Sequence, residues 1–379
     1  MIDEFPFLMK ASPALPSIIQ RELGPGGSGR DSTARLLLCG SAMSVMGELL
    51  SGPAPLRGRA SLELIVHPFG YEDAARFWEA GDPRLAVLLH SIVGGTPAYR
   101  REYVAYDAPE SLGDFDDWVL RTVLNPQSPL FREARYLLAE ETEIRDPALY
   151  HSVLGAIAAG NRTNGGIANF IGRKSADLTH PLNVLEDCAL IAKEPDIFRR
   201  GRWLYRVAEP LVNFYEAVMR PEWSRLESGQ AEAVWRDQRA DFFSRVVGPH
   251  FGTICRLFAR SYGTDLFGGS VGEVGSGVVN DRASKTRIEI DVAVLAPSEP
   301  GRRQQILSLG EVKWGEVMSS RHVDRLARAR DLLASSFDTQ GCALACYSAA
   351  GFTDELKSAK DSRAALFNLN DIYRRLLAA

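Results

Sequence analysis

Apolar positions fall into two rhythms along the chain, and their alternation sets the element order. Residues 12 to 23 carry Leu15, Ile18 and Ile19 at helical spacing, with Ser12 as N-cap and Pro13 at the first helical position. Arg35 to Ser41 is a largely apolar run of strand length, as a strand buried on both faces would be, and a helix over 42–50 follows. Leu62 to Val66 reads as a further strand closed by His67-Pro68. Residues 72–145 read as mainly helical, interrupted at Gly94-Gly95-Thr96-Pro97. Leu149, Val153, Leu154 and Ile157 then mark a helix ended by Gly160. Ile167 to Ile171 marks a short helix, and 175–188 a third that either starts near Thr179 or is kinked at Pro181. Strand-like segments at 189–193 and 202–207 come next. Three helices and a two-stranded ribbon in that order predict a winged helix-turn-helix. A helical connector around Trp223 to Trp235 leads to a helix over 242–262. Strands at 278–280, 287–295 and 306–314 follow, then a basic helix over 319–335, and 343–347 with the remaining short elements completes a second α/β region.

The fold class expected is multidomain α/β plus α. Residues 1–100 form the C-terminal half of a P-loop NTPase α/β core, and 101–145 a helical lid. The winged helix-turn-helix spans 146–218, a connector 219–240, and a second α/β region 241–379.

Composition narrows the picture only slightly. The chain is 45% apolar and 24% charged with a net charge of -4, which is ordinary globular protein rather than a basic nucleic-acid coat. A local basic patch is still compatible with that balance. The five cysteines lack metal-type spacing, Cys342 and Cys346 in their apolar run read as buried thiols, and the usage suits a reducing cytoplasm. The start shows no signal-peptide pattern, and no stretch has the roughly 18 to 20 apolar residues a membrane span needs.

Candidate chemistry lies at three places. The first is Met1-Ile2-Asp3-Glu4-Phe5-Pro6, which reads as the end of a buried strand with an Asp-Glu pair, the form of a Walker B motif. Asp3 would hold the Mg²⁺ shell and Glu4 would polarise water. The partner motif G-x-x-x-x-G-K-[ST] occurs nowhere in the 379 residues. Either the chain is a truncated ATPase or its true start lies upstream, and ATP binding by this chain alone is not expected.

The second is a pair of strands. Alternation puts Arg287, Glu289 and Asp291 on one face, and Glu311 and Lys313 share a face of the next strand. Two carboxylates on adjacent strands suit Mg²⁺, and a lysine beside them can orient water or stabilise an anion. An edge-strand ion pair is the competing reading of Glu311 and Lys313. The third is basic. Arg199, Arg200, Arg202 and Arg206 crowd the wing, and Arg173 and Lys174 precede the third helix. Phosphate contact and an internal structural ribbon fit these residues equally. Arg321, Arg325, Arg328 and Arg330 line the basic helix, as a nucleic-acid contact or a solvated face. Trp203 and Trp314 read as packing residues, and the histidines as scattered.

With these motifs the whole chain resembles archaeal-type ATPases of the broad AAA/STAND class that carry a PD-(D/E)xK nuclease-like tail. Val278 to Leu295 and Gly310-Glu311-Val312-Lys313-Trp314 look like that tail. Ile2 to Pro6 looks like the family's Walker B, and Leu37 to Ser41 like its sensor strand with Ser41 as the polar sensor. Pro55 to Arg59, Pro68-Phe69 and Gly94 to Tyr99 look like its later signatures. The resemblance implies a nucleotide site using Asp3, Ser41 and Arg59, a metal at Asp291 and Glu311 with another at Asp3, and DNA as partner. It also implies a missing ATPase half encoded upstream. The family writes Phe-Glu near the start of the first helix of its tail, where this chain reads Phe251-Gly252, so one metal ligand is expected to be lost. The resemblance therefore leaves two outcomes: an ATP- and Mg²⁺-dependent nucleic-acid enzyme, or a DNA-binding or scaffolding protein with both centres inactive.

Overall fold

The computed structural model describes residues 1–29, 32–40, 43–140, 146–358 and 364–374. The chain is mixed α/β, with one five-stranded mixed sheet, one two-stranded ribbon and many helices.

At the N-terminal end Ile2 forms a parallel bridge to Leu38, with Ile2 N donating to Leu37 O at 2.8 Å and Cys39 N to Ile2 O at 2.9 Å. The bridge extends no further. The chain turns through Glu4, at φ 49°, into helix α1 (Phe5–Ala11), where a strand end was expected. Ser12 closes α1 instead of opening the next helix, and α2 (Leu15–Glu22) starts with Pro16 in its first turn. Helix α3 spans Met43–Glu48. Phe5, Leu49 and Leu56 make a small core of their own.

The two strands expected at 35–41 and 62–66 do not form as ladders. Leu36 and Leu37 are about half exposed, and Leu62, Leu64, Ile65 and Val66 stand largely in solvent. Residues 61–68 form no helix or strand, and their backbone makes no hydrogen bond to another described segment. The apolar run was read as burial, but a strand needs a neighbour on each side to satisfy its backbone.

From α4 (Tyr71–Phe77) onward the chain packs densely. Helix α5 (Pro83–Val93) is capped by Asp82, which accepts from Arg84 N at 2.6 Å and Leu85 N at 3.1 Å. Helices α6 (Phe115–Arg121) and α7 (Leu130–Glu140) follow. Next come α8 (Pro147–Ala158), α9 (Asn164–Ile171) and α10 (Thr179–Asp187), the last starting at Thr179 after a 3-10 turn rather than kinking at Pro181. Strands β1 (Ile191–Pro195) and β2 (Trp203–Val207) pair antiparallel as the expected ribbon.

Helices α11 (Pro210–Phe214), α12 (Trp223–Glu227) and α13 (Ala231–Asp241) lead through a π-helical turn to α14 (Gly248–Phe267). The sheet follows in the order β3 (Glu273–Asp281), β4 (Thr286–Leu295), β5 (Ile306–Lys313), β6 (Ala343–Ser348) and β7 (Ala365–Phe367). The first three strands are antiparallel to their neighbours, and β5, β6 and β7 run parallel. Parallel pairing of β5 and β6 requires a crossover, which α15 (Ser320–Leu333) supplies. Helix α14 packs on β4 and β5, while α15 packs on the sheet through Val323, Leu326 and Ala329. Helices α16 (Asp354–Ser358) and α17 (Leu369–Ile372) close the chain.

One apolar core runs without interruption from Tyr71 to Tyr373. It joins the helices of 71–242, the α14 face of the sheet and α17. Tyr71 Oη donates to Ile372 O at 3.1 Å, and its ring meets Tyr373 edge-on at 5.1 Å. Arg84 donates to Ala349 O at 2.6 Å and lies over Trp314. A second core on the α15 side includes Ile197 from the ribbon tip. Among the described residues, no helix is long and apolar enough to cross a membrane.

Candidate active site and the cleft beside it

Asp291 sits where β4 leaves regular pairing. Against β3, Gly275 faces Ala293 but Gly277 faces Ile290, so β4 has one residue more than its partner at 291–292. Such a bulge kinks the strand and re-aims a side chain. The paired register of β4 with β5 begins at Val292 and Gly310, and Glu311 follows directly on β5. Asp291 Oδ2 accepts from Val312 N at 2.9 Å. Burial pushes the Asp291 carboxyl up to about 6, with repulsion from Glu289 and Glu311 adding to it, against the Val312 N–H and Lys313.

Glu311 is fully buried. Lys313 Nζ lies 3.1 Å from its carboxylate and Arg325 Nη2, from α15, at 2.6 Å. Neither carboxylate oxygen receives an aligned hydrogen bond, so the pairing is one of charge alone. Asp291, Glu311 and Lys313 therefore come together as the strand spacing predicts. The edge-strand reading of Glu311 and Lys313 is corrected by β6, which pairs along the whole Ser308–Lys313 stretch on the other side.

Helix α14 brings a cation to this place. Gly252 leaves its position without a side chain, and one turn later Arg256 Nη1 donates to Asp291 O at 3.2 Å while Nη2 donates to Thr253 Oγ1 at 3.0 Å. Arg256 also lies 3.9 Å from Glu194 of β1. Glu194 is shared: Arg206 Nε of β2 meets it at 2.6 Å and Arg162 at 3.9 Å. Burial pushes the Glu194 carboxyl up, but the three guanidinium groups outweigh it and hold it below the usual range. Burial, with repulsion from Arg162 and Arg206, lowers the Arg256 guanidinium.

These groups open on a cleft of about 2530 Å³. Its lining includes Arg162, Arg206, Arg256, Asp291 and Lys313, and on the opposite side the exposed segments 34–40 and 60–70.

Among the described residues, no group of three or more His, Cys, Asp or Glu side chains is placed to hold a metal ion. The pair Asp291 and Glu311 nevertheless suits a hard cation: the Glu311 charge adds to the cost of ionising Asp291, and the Glu311 oxygens lack aligned donors. Mg²⁺ takes one or two carboxylates and completes its shell with water and phosphate oxygens.

The other expected site residues scatter. Asp3 and Glu4 are exposed and do not line the cleft; Arg59 is exposed and does. Ser41 lies outside the described residues. Asp3 therefore does not join Asp291 and Glu311. Arg173, Lys174, Arg199 and Arg200 form no ion pair among the described residues, whereas Arg202 lies 3.7 Å from buried Asp196. The ribbon tip is docked in part on the sheet, while Arg200 and Gly201 stay exposed. Ile197 N donates to Ser276 O of β3 at 3.1 Å, and Phe198 packs edge-on against Phe337. On α15, Arg328 forks onto Asp281 at 2.8 and 3.2 Å, Arg321 pairs with Glu316 and Arg330 with Asp331. These arginines pair within the chain, and Arg321, Arg325 and Arg328 stay exposed on the helix surface. Trp314 packs as expected, on Phe251, but Trp203 is about half exposed beneath Lys193.

Sequence reasoning missed Arg256, because its partner is a backbone carbonyl 35 positions away. It also missed His90 and His250, whose rings meet Nδ1 to Nε2 at 2.7 Å across 160 positions. Burial lowers the pKa of His90 to about 4 and that of His250 well below its usual value, so the pair shares one neutral hydrogen bond. Only the order of the helices could have signalled it.

No family model matches the chain. A protein of Methanocaldococcus jannaschii named uncharacterized protein MJECL04 is 29% identical over 235 residues, 60% of this chain and 50% of that protein. The chain thus spans about half the length of the relative it matches. Protein VC1899 from Vibrio cholerae, known from a crystal structure, superposes with a TM-score of 0.26 at 13% identity, over 66% of this chain and 56% of that one.

Proposed function

We propose that Asp291, Glu311 and Lys313 form the centre of a Mg²⁺-dependent phosphodiester hydrolase acting on nucleic acid. In this reading 241–379 is a restriction-endonuclease-like domain, 146–218 a winged helix-turn-helix, and 1–100 part of an archaeal-type AAA/STAND ATPase core with Asp3, Glu4, Ser41 and Arg59 as its remnant. The observation that carries it is the junction of β4 and β5. A bulge turns a half-buried carboxylate beside a second, buried carboxylate and a lysine, at the wall of a cleft rich in arginine.

Asp291 and Glu311 would hold the metal, which supplies acidification of a water molecule and shielding of phosphate charge. Lys313 Nζ, about one-third exposed toward the cleft, orients the water or stabilises the anion that builds up on phosphorus. Arg325 neutralises Glu311 until a cation takes its place, and Arg256 fixes the Asp291 backbone. A fluorescent-oligonucleotide cleavage assay with and without Mg²⁺ tests the reading. Wild type cleaves, and Lys313→Ala falls by about 10²-fold or more. Equal background in both removes the hydrolase.

Arg256 favours a second reading. A guanidinium on α14 approaches Asp291 where the resemblance expects a carboxylate one turn earlier, at Gly252. A DNA-binding or scaffolding protein with inactive ATPase and nuclease centres would tolerate that exchange, and it is the outcome if the assay fails.

A further inference from the structure

We infer that nucleic acid is gripped on the inner face of the β1–β2 ribbon, by Arg162, Arg206 and Arg256 around Glu194, and not by the ribbon tip. The inference rests on the phosphodiester reading above and assigns the substrate's path through that site. The tip is already used: Asp196 and Ile197 lie against Ser276, and Phe198 fills the space over Gly277. The inner face is the reverse. Three guanidinium groups share a single carboxylate, two of them at 3.9 Å and so only loosely held. Arg162 Nε is buried without a hydrogen-bond partner. Three cations on one anion leave a local excess of positive charge. Burying like charges together costs stability unless an anion completes the set.

The wider cleft has the same sign. Eight arginine and lysine side chains line it against four carboxylates, in a chain whose net charge is -4. The positive excess lies along a concave surface, where it attracts a polyanion most strongly. Arg256 joins this wall directly to Asp291, because the same guanidinium that lies near Glu194 donates to the Asp291 carbonyl. A backbone phosphate held by Arg162 and Arg206 would place the neighbouring phosphodiester near Asp291 and Lys313. The ligand class is a nucleic-acid strand read through its phosphates. Arg162 is fixed for this role by the ribbon itself, since its carbonyl accepts from Tyr205 N at 2.7 Å.

The test is fluorescence anisotropy with the full chain in EDTA, so that binding is read without cleavage. The probes are a labelled DNA single strand, its duplex and an RNA strand of the same sequence. Wild type binds at least one of them, with an affinity that falls steeply with salt. The double variant Arg162→Ala/Arg206→Ala weakens binding about tenfold or more and lowers the salt slope by about 1 to 2. Arg199→Ala/Arg200→Ala changes affinity less than about twofold. Glu194→Gln removes the one competing anion and holds or tightens binding, which a purely structural role for the cluster would not give. Circular dichroism confirms that each variant is folded. The inference is overturned if wild type binds none of the probes, if the tip pair carries the loss while the inner pair is silent, or if Glu194→Gln weakens binding as the arginine changes do. A wild type that binds through Arg162 and Arg206 but never cleaves defeats the hydrolase alone.

Discussion

Asp291 shows how much one residue can cost and why it would be kept. Its carboxyl is raised from the ordinary 3.8 to about 6. Between those pH values the folded chain holds a proton that the unfolded chain has released. Stability therefore falls as pH rises through that window, and the full penalty of about 2 to 3 kcal/mol stands above pH 6. Asp291→Asn keeps an acceptor for Val312 N but removes the charge. The expected outcome is a gain of about 1 to 3 kcal/mol at pH 7 and none at pH 4. Urea unfolding of both proteins at the two pH values checks it, and the difference between them cancels Glu209, which burial also raises, to about 7. A gain at pH 7 together with lost cleavage would mark a residue retained for chemistry at the expense of stability. The residues of this site were legible in the sequence because alternating strands announce which side chains share a face. The bulge that aims Asp291 was not, since one extra residue in a ladder leaves no mark until the partner strand is known.

The ribbon forms as its alternation predicts, whereas the strands expected in the N-terminal segments do not form as ladders. The ribbon's strands are visible from their alternation, which leaves its tip open between phosphate contact and an internal structural role. In the structure Gly277 makes the docking possible: a Cβ there would lie 2.5 Å from Phe198 Cδ2 and 2.7 Å from Asp196 Oδ1. At Gly275 the nearest atom would be Ile197 Cδ1 at 3.3 Å, the end of a side chain that can give way. Gly277→Ala is therefore expected to cost about 1 to 3 kcal/mol by overpacking, and Gly275→Ala less. Thermal denaturation of the two variants decides it, and equal losses would mean that the tip does not bear on β3 as described. The segments at 35–41 and 62–66 are a different case. An apolar run specifies that a strand wants burial, but it cannot specify that neighbours are there to bury it. Leu64 and Val66 remain largely in solvent, and an extended apolar segment with unpaired backbone is a template for association. Leu64→Lys with Val66→Lys should raise the soluble fraction in a concentration series while leaving the far-ultraviolet circular dichroism unchanged. If solubility stays the same, the exposed row is not what drives association.

At the scale of the whole molecule the expected chain of separate domains meets an uninterrupted core. The resemblance places a boundary near residue 240, and composition offers nothing against it. Phe242, Phe251, Tyr347, Phe367 and Tyr373 nevertheless belong to the same buried cluster as Tyr71, Trp118, Leu154 and Phe214. Long-range contacts between apolar faces are the part of a fold that periodicity cannot report, because each helix shows that it has a buried face and not what covers it. The consequence can be measured. A fragment of 241–379 would lose the cover that α5 gives to α14 and α17, the Arg84 guanidinium over Trp314, and the Tyr71 partner of Tyr373. Burying a large apolar side chain is worth about 1.5 to 3 kcal/mol, so losing the cover over several such rings exceeds the margin of a typical domain. The fragment should bind a hydrophobic dye and lose near-ultraviolet circular dichroism while keeping helical signal, the signature of a collapsed but unpacked state. The full chain, by contrast, should lose tryptophan fluorescence and helical signal in one coincident step above residue 71. A fragment that melts sharply on its own, with no dye bound, would show that the core divides at residue 240 after all, and the cleft between ribbon and sheet would then be free to open.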